Sequence, residues 1–227
     1  MTQSSISHIR IPMIVPKRNK GHHEVACDFN LKTSTLTDVT NFVQYFTPLI
    51  KNICTIKTVT ELASTVLSYS KLDDIDLNMH FLYHLDRASS TYKDSFYEMT
   101  CFFNVTGNHD KLVGEMGINI PVRVKDIFVV VGQLTLSIVE PPDIYFEDVL
   151  DHLQKFTDTR IYPSVDTDDN KQLPFMVDVG MRPVDYINTL ACTETIKKIG
   201  KTVKVDLKYP DIYNSYEILY KTTWSSL

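Results

Sequence analysis

Alternation of apolar and polar residues over 75–85 constrains the fold of this chain more than any other feature. Every second side chain in that stretch is apolar, namely Ile75, Leu77, Met79, Phe81, Tyr83 and Leu85. A period of two is typical of a strand that buries one face. A similar alternation runs through residues 24–31, and 43% of the 227 residues are hydrophobic. That fraction excludes a disordered chain, and the sequence predicts sheet structure over a core.

The predicted elements follow the same order in each half of the chain. The first half has strands at 8–15 and 24–31, helical stripes at 39–50 and 59–67, and strands at 75–85 and 96–105. The second half has strands at 112–124 and 128–139, helices at 146–153 and 182–199, and strands at 201–209 and 213–223. The order ββααββ repeated twice predicts an α+β fold with an antiparallel sheet and helices on one face. We expect two modules, approximately 1–107 and 111–227, on either side of a turn at residues 107–110.

Charge and composition exclude several classes of function. The formal net charge of −5 argues against a dedicated nucleic-acid partner. The longest apolar runs are too short to span a bilayer, and no signal segment opens the chain. We therefore expect a cytoplasmic protein without membrane contact. The four cysteines form no CxxC pair and are expected to be ordinary reduced thiols.

Short segments along nearly the whole chain resemble, in order, the GTP cyclohydrolase type IB family, whose members consist of tunnelling-fold (T-fold) modules. Residues 9–15 (IRIPMIV) are similar to the family's "RYPI" strand, and residues 117–122 (GINIPV) to its "GVEVPV". Residues 146–150 (FEDVL) match "IEDLI", and residues 209–214 (YPDIYN) resemble the closing "NxESIHxH". The resemblance implies tandem T-fold modules, a homo-oligomer (dimer or tetramer) and a purine-like or pterin-like ligand.

The residues that serve metal chemistry in that family are replaced in this chain. The cysteine loop that follows "PVTT" is absent, Val131 stands at the histidine of "AHNQR", and Arg160 stands at the glutamate of "SELY". Tyr213 and Ser215 stand at the two histidines of "ESIHxH". A divalent-metal site does not survive the loss of all these ligands. We therefore expect no metal and no cofactor, and a degenerate active site in a protein that binds rather than catalyses.

Three residues are candidate ligand contacts. Asp211 replaces the glutamate of the closing motif, where T-fold proteins hold a purine or pterin through a carboxylate, although a simple turn residue is the alternative. Gln133 stands where "AHNQR" ends, and its amide suits a base edge, unless it is only an exposed strand residue. Arg160 carries a planar guanidinium that suits bidentate contact with a phosphate.

Other functions stay open, and so does the question of whether the chain is an enzyme. It could be an active GTP cyclohydrolase-type hydrolase that opens a purine ring at a relocated site. It could also be a structural or inhibitory oligomer with a protein partner. His80 and His84 share one face of their predicted strand, which suits either a pair of metal ligands or a solvated strand face. No GxSxG, P-loop or GxGxxG motif frames another catalytic site.

Overall fold

The computed structural model describes residues 4–19, 21–35, 52–85, 97–125, 129–154, 159–162, 176–179, 182–192, 202–211 and 216–226. These ranges hold ten strands and three helices. The elements of the first half are β1 (Ser4–Pro16), β2 (His22–Thr33), α1 (Ile56–Ser70), β3 (Asp74–Leu85) and β4 (Tyr97–Asn108). They are followed by β5 (Leu112–Lys125), β6 (Val129–Val139), α2 (Phe146–Gln154), β7 (Thr159–Tyr162), β8 (Met176–Val179), α3 (Pro183–Cys192), β9 (Thr202–Pro210) and β10 (Glu217–Ser225).

The chain is broadly α+β, but the predicted order ββααββ repeated twice is wrong. The short strands β7 and β8 separate α2 from α3, so the order in the second half is ββαββαββ. β8 pairs in parallel with the end of β5, whereas the prediction was an antiparallel sheet with helices on one face. The sequence pattern missed both strands because four residues are too few to show a period of two. The helix predicted at 39–50 lies outside the described residues.

Eight strands are hydrogen-bonded in the order β1-β2-β3-β4-β5-β6-β9-β10, and β8 pairs with both β5 and β7. β1 is antiparallel to β2, with a bulge between Ile6 and Ile9. At this bulge His8 has a φ of 59°, and its backbone N–H donates to Asn30 Oδ1 at 3.1 Å. β10 pairs with β9 in one uninterrupted register. β1 and β10 therefore end the strand order as edge strands.

The alternation of apolar and polar residues predicted over 75–85 is confirmed in β3. The odd-numbered side chains from Ile75 to Tyr83 are each at most 3% exposed, whereas Leu82 is 51% exposed. β3 continues to Leu85, which is the strand end that the pattern predicted. One face of this strand is therefore buried in the core and the other is polar or exposed.

The chain divides into two compact units, and each is described by itself. Unit 1 comprises Met1–Leu82, Cys101–Met116 and Val139–Pro141, and unit 2 comprises Tyr83–Thr100, Gly117–Ile138 and Pro142–Leu227. Both sets are discontinuous in sequence. The modules expected at 1–107 and 111–227 stay a prediction.

In unit 1, local signals in the sequence set both ends of α1. The Thr55 side chain accepts a hydrogen bond from the Thr58 backbone N–H, and the Thr58 hydroxyl receives the Thr55 N–H in return, which forms a capping box. The helix ends at Lys71, whose left-handed φ of 52° turns the chain. The stripe that the sequence predicted is buried, namely Val59, Leu62, Ala63, Val66 and Leu67.

The predicted turn at residues 107–110 joins β4 to β5. Gly107 has a φ of 145°, and a Cβ at this position would overlap the carbonyl oxygen of Lys111. Asn108 Oδ1 accepts the backbone N–H groups of Asp110 and Lys111 at 3.0 and 3.1 Å. Glycine is therefore required at the first residue of this turn, and asparagine closes it.

In unit 2, α2 begins where Tyr145 donates its backbone N–H to Asp148 Oδ2 at 2.8 Å. Both α2 and α3 bury one apolar face, which includes Val149, Leu150, Leu153, Ile187 and Leu190. The strands of this unit contribute the apolar side chains of Ile118, Ile120, Val122, Leu134, Leu136, Val203, Val205 and Leu207. Among the described residues, no helix is both long and apolar enough to cross a membrane.

Candidate functional site

The hairpin of β5 and β6 in unit 2 positions the first candidate residue. β5 ends at Lys125 and β6 begins at Val129, and so short a connection permits only antiparallel pairing. The Thr135 hydroxyl donates to Asn119 Oδ1, which sets these two residues opposite each other. Counting along both strands from this pair brings Lys125 opposite Val129, which agrees with the hairpin. The register of the hairpin is therefore fixed.

Gln133 lies on the polar face of this hairpin beside an arginine. The same register sets Val131 opposite Arg123, so Gln133 and Arg123 are diagonal neighbours across the two strands. Both alternate with core residues, because Val122, Val124 and Leu134 are fully buried. Gln133 is exposed and Arg123 is half-buried. A glutamine amide and a guanidinium thus share one sheet face.

β9 approaches β6 so closely next to Gln133 that only glycine fits. A Cβ at Gly132 would lie 2.5 Å from the carbonyl oxygen of Lys208 and 2.7 Å from the Tyr209 Cβ. Asp211 follows two residues after Tyr209, immediately beyond the end of β9. Gln133 and Asp211 therefore lie at the same end of neighbouring strands.

Asp211 closes the connection between β9 and β10. Its backbone N–H donates to the Tyr216 carbonyl at 3.0 Å, and the residue is half-buried. This backbone contact is compatible with the alternative role of Asp211 as a turn residue between the last two strands. Nearby, Lys208 pairs with Glu217 across the two strands at 2.6 Å. This ion pair therefore lies three residues before Asp211 on one strand and one residue after Tyr216 on the other.

Arg160 lies on β7, which is joined to β5 through β8. On β7 it is in register with Asp178 of β8, and Asp178 is in register with Arg123 of β5. Arg160, Asp178 and Arg123 therefore form one cross-strand row. The sequence did not single out Arg123 or Asp178, because their proximity depends on a parallel pairing between distant segments. The only local signal was the polar position of Arg123 between two buried valines.

The alternative histidine pair lies on β3, with His80 in unit 1 and His84 in unit 2. His80 on β3 is opposite Asp28 on β2, and its ring lies 5.7 Å from the Phe102 ring. Burial lowers the pKa of His80, and this outweighs the raising effect of Asp28. His80 and His84 share the polar face of β3, as the pattern predicted. The described residues contain no group of three or more His, Cys, Asp or Glu side chains that could hold a metal ion.

Burial keeps two of the cysteines, Cys27 and Cys54, in the thiol form. Cys27, Cys54 and Cys101 are buried and Cys192 is exposed, and none of the four forms a disulfide. Burial raises the pKa of Cys54 to about 12. Burial also raises the pKa of Cys27, and the neighbouring Cys54 and Asp28 add to that effect. The thiolate form needed for nucleophilic or metal chemistry is therefore disfavoured at both positions.

Comparison with solved structures identifies the fold. The crystal structure of uricase from Arthrobacter globiformis aligns with 100% of this chain and 94% of its own, with a TM-score of 0.58 and 9% identity. The chain has a tunnelling fold. The structure of a hyper-thermostable AgUricase mutant covers 100% of this chain and 92% of its own, with a TM-score of 0.55 and 8% identity. No protein-family model and no curated protein sequence matches the chain.

The T-fold inferred from the short sequence segments is thereby confirmed at the level of fold. Identities of 8–9% show shared architecture and carry no residue roles from uricase to this chain.

Proposed function

We propose that this T-fold protein binds a purine-like or pterin-like ligand at the end of the unit 2 sheet. The observation that carries the proposal is that Gln133 and Asp211 lie at the same end of the neighbouring strands β6 and β9. Arg160 completes the set as a phosphate contact. The comparison supports the ligand class, since uricase is named for urate, a purine.

The chemistry of the two side chains suits a purine or pterin edge. A glutamine amide offers one acceptor and two donors, whereas an ionised aspartate only accepts. A guanine-like edge presents two adjacent N–H donors, which one carboxylate accepts in parallel, and a carbonyl that an amide can reach. We therefore assign Asp211 to the two N–H donors of the heterocycle and Gln133 to its carbonyl.

Calorimetric titration with guanosine and with biopterin tests this assignment. We expect Asp211→Asn and Gln133→Ala each to weaken the affinity for the ligand that binds by about ten-fold, the effect of one or two hydrogen bonds with a charged or buried partner. Asp143→Asn is the matched control, because Asp143 is exposed in the same unit. If neither compound binds, or if the control weakens binding as much as Asp211→Asn does, the proposed site is wrong.

The narrower resemblance to GTP cyclohydrolase type IB leads us to propose a scaffold that has lost the ring-opening reaction. Val131 lies on β6 and is 58% exposed, and Arg160 lies on β7. Neither side chain can ligate a divalent cation in the place of the family's histidine and glutamate. Incubation with GTP and divalent metal should therefore release no formate above the rate of a buffer blank. Formate release that depends on protein concentration would instead establish an active hydrolase.

We also propose that the protein is a homo-oligomer, a dimer or a tetramer. β1 and β10 are the ends of the strand order, and an edge strand offers unpaired N–H and C=O groups to another strand. Leu219 on β10 is 49% exposed, which suits a covered position in an assembly. Native mass spectrometry reports the number of subunits directly. A monodisperse monomer at micromolar concentration would contradict this part of the proposal.

A further inference from the structure

The edge strand β10 is regular along its whole length. It pairs with β9 from Glu217 to Ser225 without a bulge. In the part of the chain that the structure describes, β9 is the only strand hydrogen-bonded to β10. The strand contains no proline that would interrupt its row of backbone N–H groups. A regular edge of this length is a template on which another strand can pair.

The opposite edge strand, β1, carries features that discourage such pairing. Pro12 and Pro16 offer no backbone N–H, and a bulge interrupts the first half of the strand. The Ile14 carbonyl accepts the Cys54 backbone N–H at 2.6 Å, so another segment already covers part of this edge. Prolines, bulges and covering segments are the means by which natural edge strands avoid other chains. β10 is therefore the edge that suits association.

β10 is also incompletely buried next to a strand whose inner face is fully buried. Val205 and Leu207 on β9 are each 0% exposed. Their partners in register on β10, Thr222 and Tyr220, are only half-buried. On the other face of β10, Leu219 is 49% exposed. A further strand on this edge would cover apolar surface on both faces of the sheet.

The charges on the exposed face of β10 indicate which strand that is. Glu217 and Lys221 stand two residues on either side of Leu219. Glu217 pairs with Lys208 at 2.6 Å, and Lys221 pairs with Asp206 at 3.1 Å, both on β9. The Glu217 and Lys221 side chains are still 60% and 62% exposed, so each can contact a further chain as well. Opposite charges placed symmetrically about an apolar residue are complementary to an antiparallel copy of the same strand.

We propose that β10 pairs antiparallel with β10 of a second copy of this chain, with the two Leu219 side chains opposite each other at a two-fold axis. The inference rests on the homo-oligomer proposed above and names its interface. In this register Glu217 of each copy lies opposite Lys221 of the other, and Ile218 lies opposite Tyr220. Opposite charges, and aromatic with β-branched side chains, are favourable cross-strand pairs. Because the interface is isologous, each pair occurs twice.

Other registers of the same two strands lose these contacts. Opposite residues of an antiparallel pair project from the same face, so a shared core face requires partners an even number of residues apart. An axis at Glu217 or at Lys221 sets that charge opposite its own copy, which is destabilising. An axis at Ile218 or Tyr220 sets Leu219 opposite a charged residue. Only the axis at Leu219 matches both the charges and the apolar surface.

Cysteine cross-linking tests the position of the axis. In a Cys192→Ser background, Leu219→Cys should oxidise to a disulfide-linked dimer, because opposite Cβ atoms lie about 4.5–5.5 Å apart. Thr223→Cys is the matched control on the same exposed face, since the proposed register separates its two copies by eight residues, about 26 Å. The other three cysteines are buried. We expect Leu219→Cys to cross-link at least about ten-fold faster than Thr223→Cys.

A charge exchange, followed by sedimentation equilibrium, tests the pairing itself. Glu217→Lys and Lys221→Glu each create two like-charged pairs in the interface, so each should weaken the dimer about ten-fold. The double variant restores opposite pairs between copies, and its dimer affinity should return to within about three-fold of the original. Within one chain it sets like charges beside Lys208 and Asp206, so loss of those ion pairs cannot explain a rescue. Asp143→Lys, an exposed control in the same unit, should leave the affinity unchanged.

The outcomes separate the interface from the oligomer. An oligomer that cross-links no faster through Leu219→Cys than through Thr223→Cys would overturn the β10 interface and leave the homo-oligomer standing. Weakening in both single charge variants without rescue in the double variant would also overturn the register. A monomer at micromolar concentration would instead overturn the homo-oligomer, and this interface with it.

Discussion

The Tyr83 hydroxyl donates a hydrogen bond to Glu147 Oε1 at 2.8 Å within unit 2. Tyr83 is fully buried and Glu147 is 7% exposed. The second carboxylate oxygen, Oε2, has no hydrogen-bond partner among the described residues. Glu147 lies in the first turn of α2, where the helix dipole favours a negative charge. The buried carboxylate is therefore stabilised by the helix start and by one tyrosine.

Removing this hydroxyl should destabilise the fold. Tyr83→Phe keeps the ring and its contact with Phe146, whose centroid lies 5.5 Å away, and leaves Glu147 Oε1 without its donor. We expect the free energy of unfolding in urea to fall by about 1–3 kcal/mol, the cost of an unsatisfied buried acceptor. Tyr69→Phe is the control, because Tyr69 is 72% exposed, and should change it by less than about 0.5 kcal/mol. Equal effects of the two substitutions would show that the Tyr83 hydrogen bond adds little.

The close approach of β6 and β9 predicts a steric effect at Gly132. A methyl group there meets the Lys208 carbonyl oxygen at 2.5 Å, so Gly132→Ala must push two strand backbones apart. We expect a loss of about 1–3 kcal/mol in unfolding free energy. Gly21→Ala is the matched control, because its nearest neighbours are Lys17 side-chain atoms at 3.9 Å. That control should be neutral or slightly stabilising, and a tolerated Gly132→Ala would refute the close approach.

The acid stability of unit 1 should depend on Asp74, the first residue of β3. Partial desolvation raises the pKa of Asp74, but hydrogen bonds from the Ser34 backbone N–H, the Ser34 hydroxyl and the Thr33 hydroxyl lower it below its usual 3.8. These bonds to Oδ1 measure 2.6, 2.8 and 3.0 Å. Because the pKa is lower in the folded state, the contribution is present above the unfolded-state pKa and is lost as pH falls through the folded-state value.

Asp74→Asn should therefore cost about 1 kcal/mol or less at pH 7, since the site is largely solvated. The difference from the original protein should shrink as the pH falls below about 4, where the unfolded-state carboxyl also protonates. Thermal unfolding measured between pH 2.5 and 7 checks this. Asp143→Asn serves as the control and should leave the acid limb unchanged. A difference that stays constant down to pH 2.5 would contradict the role of the Asp74 charge.

The buried thiols should resist modification in the folded protein. Burial raises the pKa of Cys54 to about 12, so that almost no thiolate forms at pH 8. A chromogenic disulfide reagent should therefore titrate one thiol per chain rapidly, which is Cys192. All four thiols should react once the chain is unfolded in guanidinium. Cys192→Ser should abolish the rapid phase, and a second rapid thiol in the folded original protein would contradict the assigned burial.

The periodicity of the sequence was enough to predict most of the longer local elements. The stripe from Val59 to Leu67 and the alternation from Ile75 to Tyr83 are buried as the patterns indicated. The turn at Gly107 was predictable because glycine and asparagine favour turns whatever the rest of the chain does. The same reasoning produced an incorrect element order, because β7 and β8 are too short for a periodic signal and are defined by partners far along the chain.

The candidate site also combines residues that the sequence indicated with residues that only the structure revealed. Gln133, Asp211 and Arg160 were chosen from the sequence by resemblance, and no periodic pattern indicated that they share a region. Asp178, which connects Arg160 with Arg123, was identified only by its register with both. That register comes from backbone hydrogen bonds between segments 55 residues apart for Arg123 and 18 residues apart for Arg160. Backbone hydrogen bonding does not depend on side-chain identity. Contacts of this kind leave little trace in composition or periodicity.

The sequence by itself determined which face of each long strand and helix is buried, because side-chain hydrophobicity and the period of the backbone are local properties. Only the tertiary structure decided which strands are neighbours, which glycine admits a close approach, and which charges stand beside Gln133. Those outcomes depend on pairing between distant segments, where one hydrogen-bonded register is selected by the packing of the whole core.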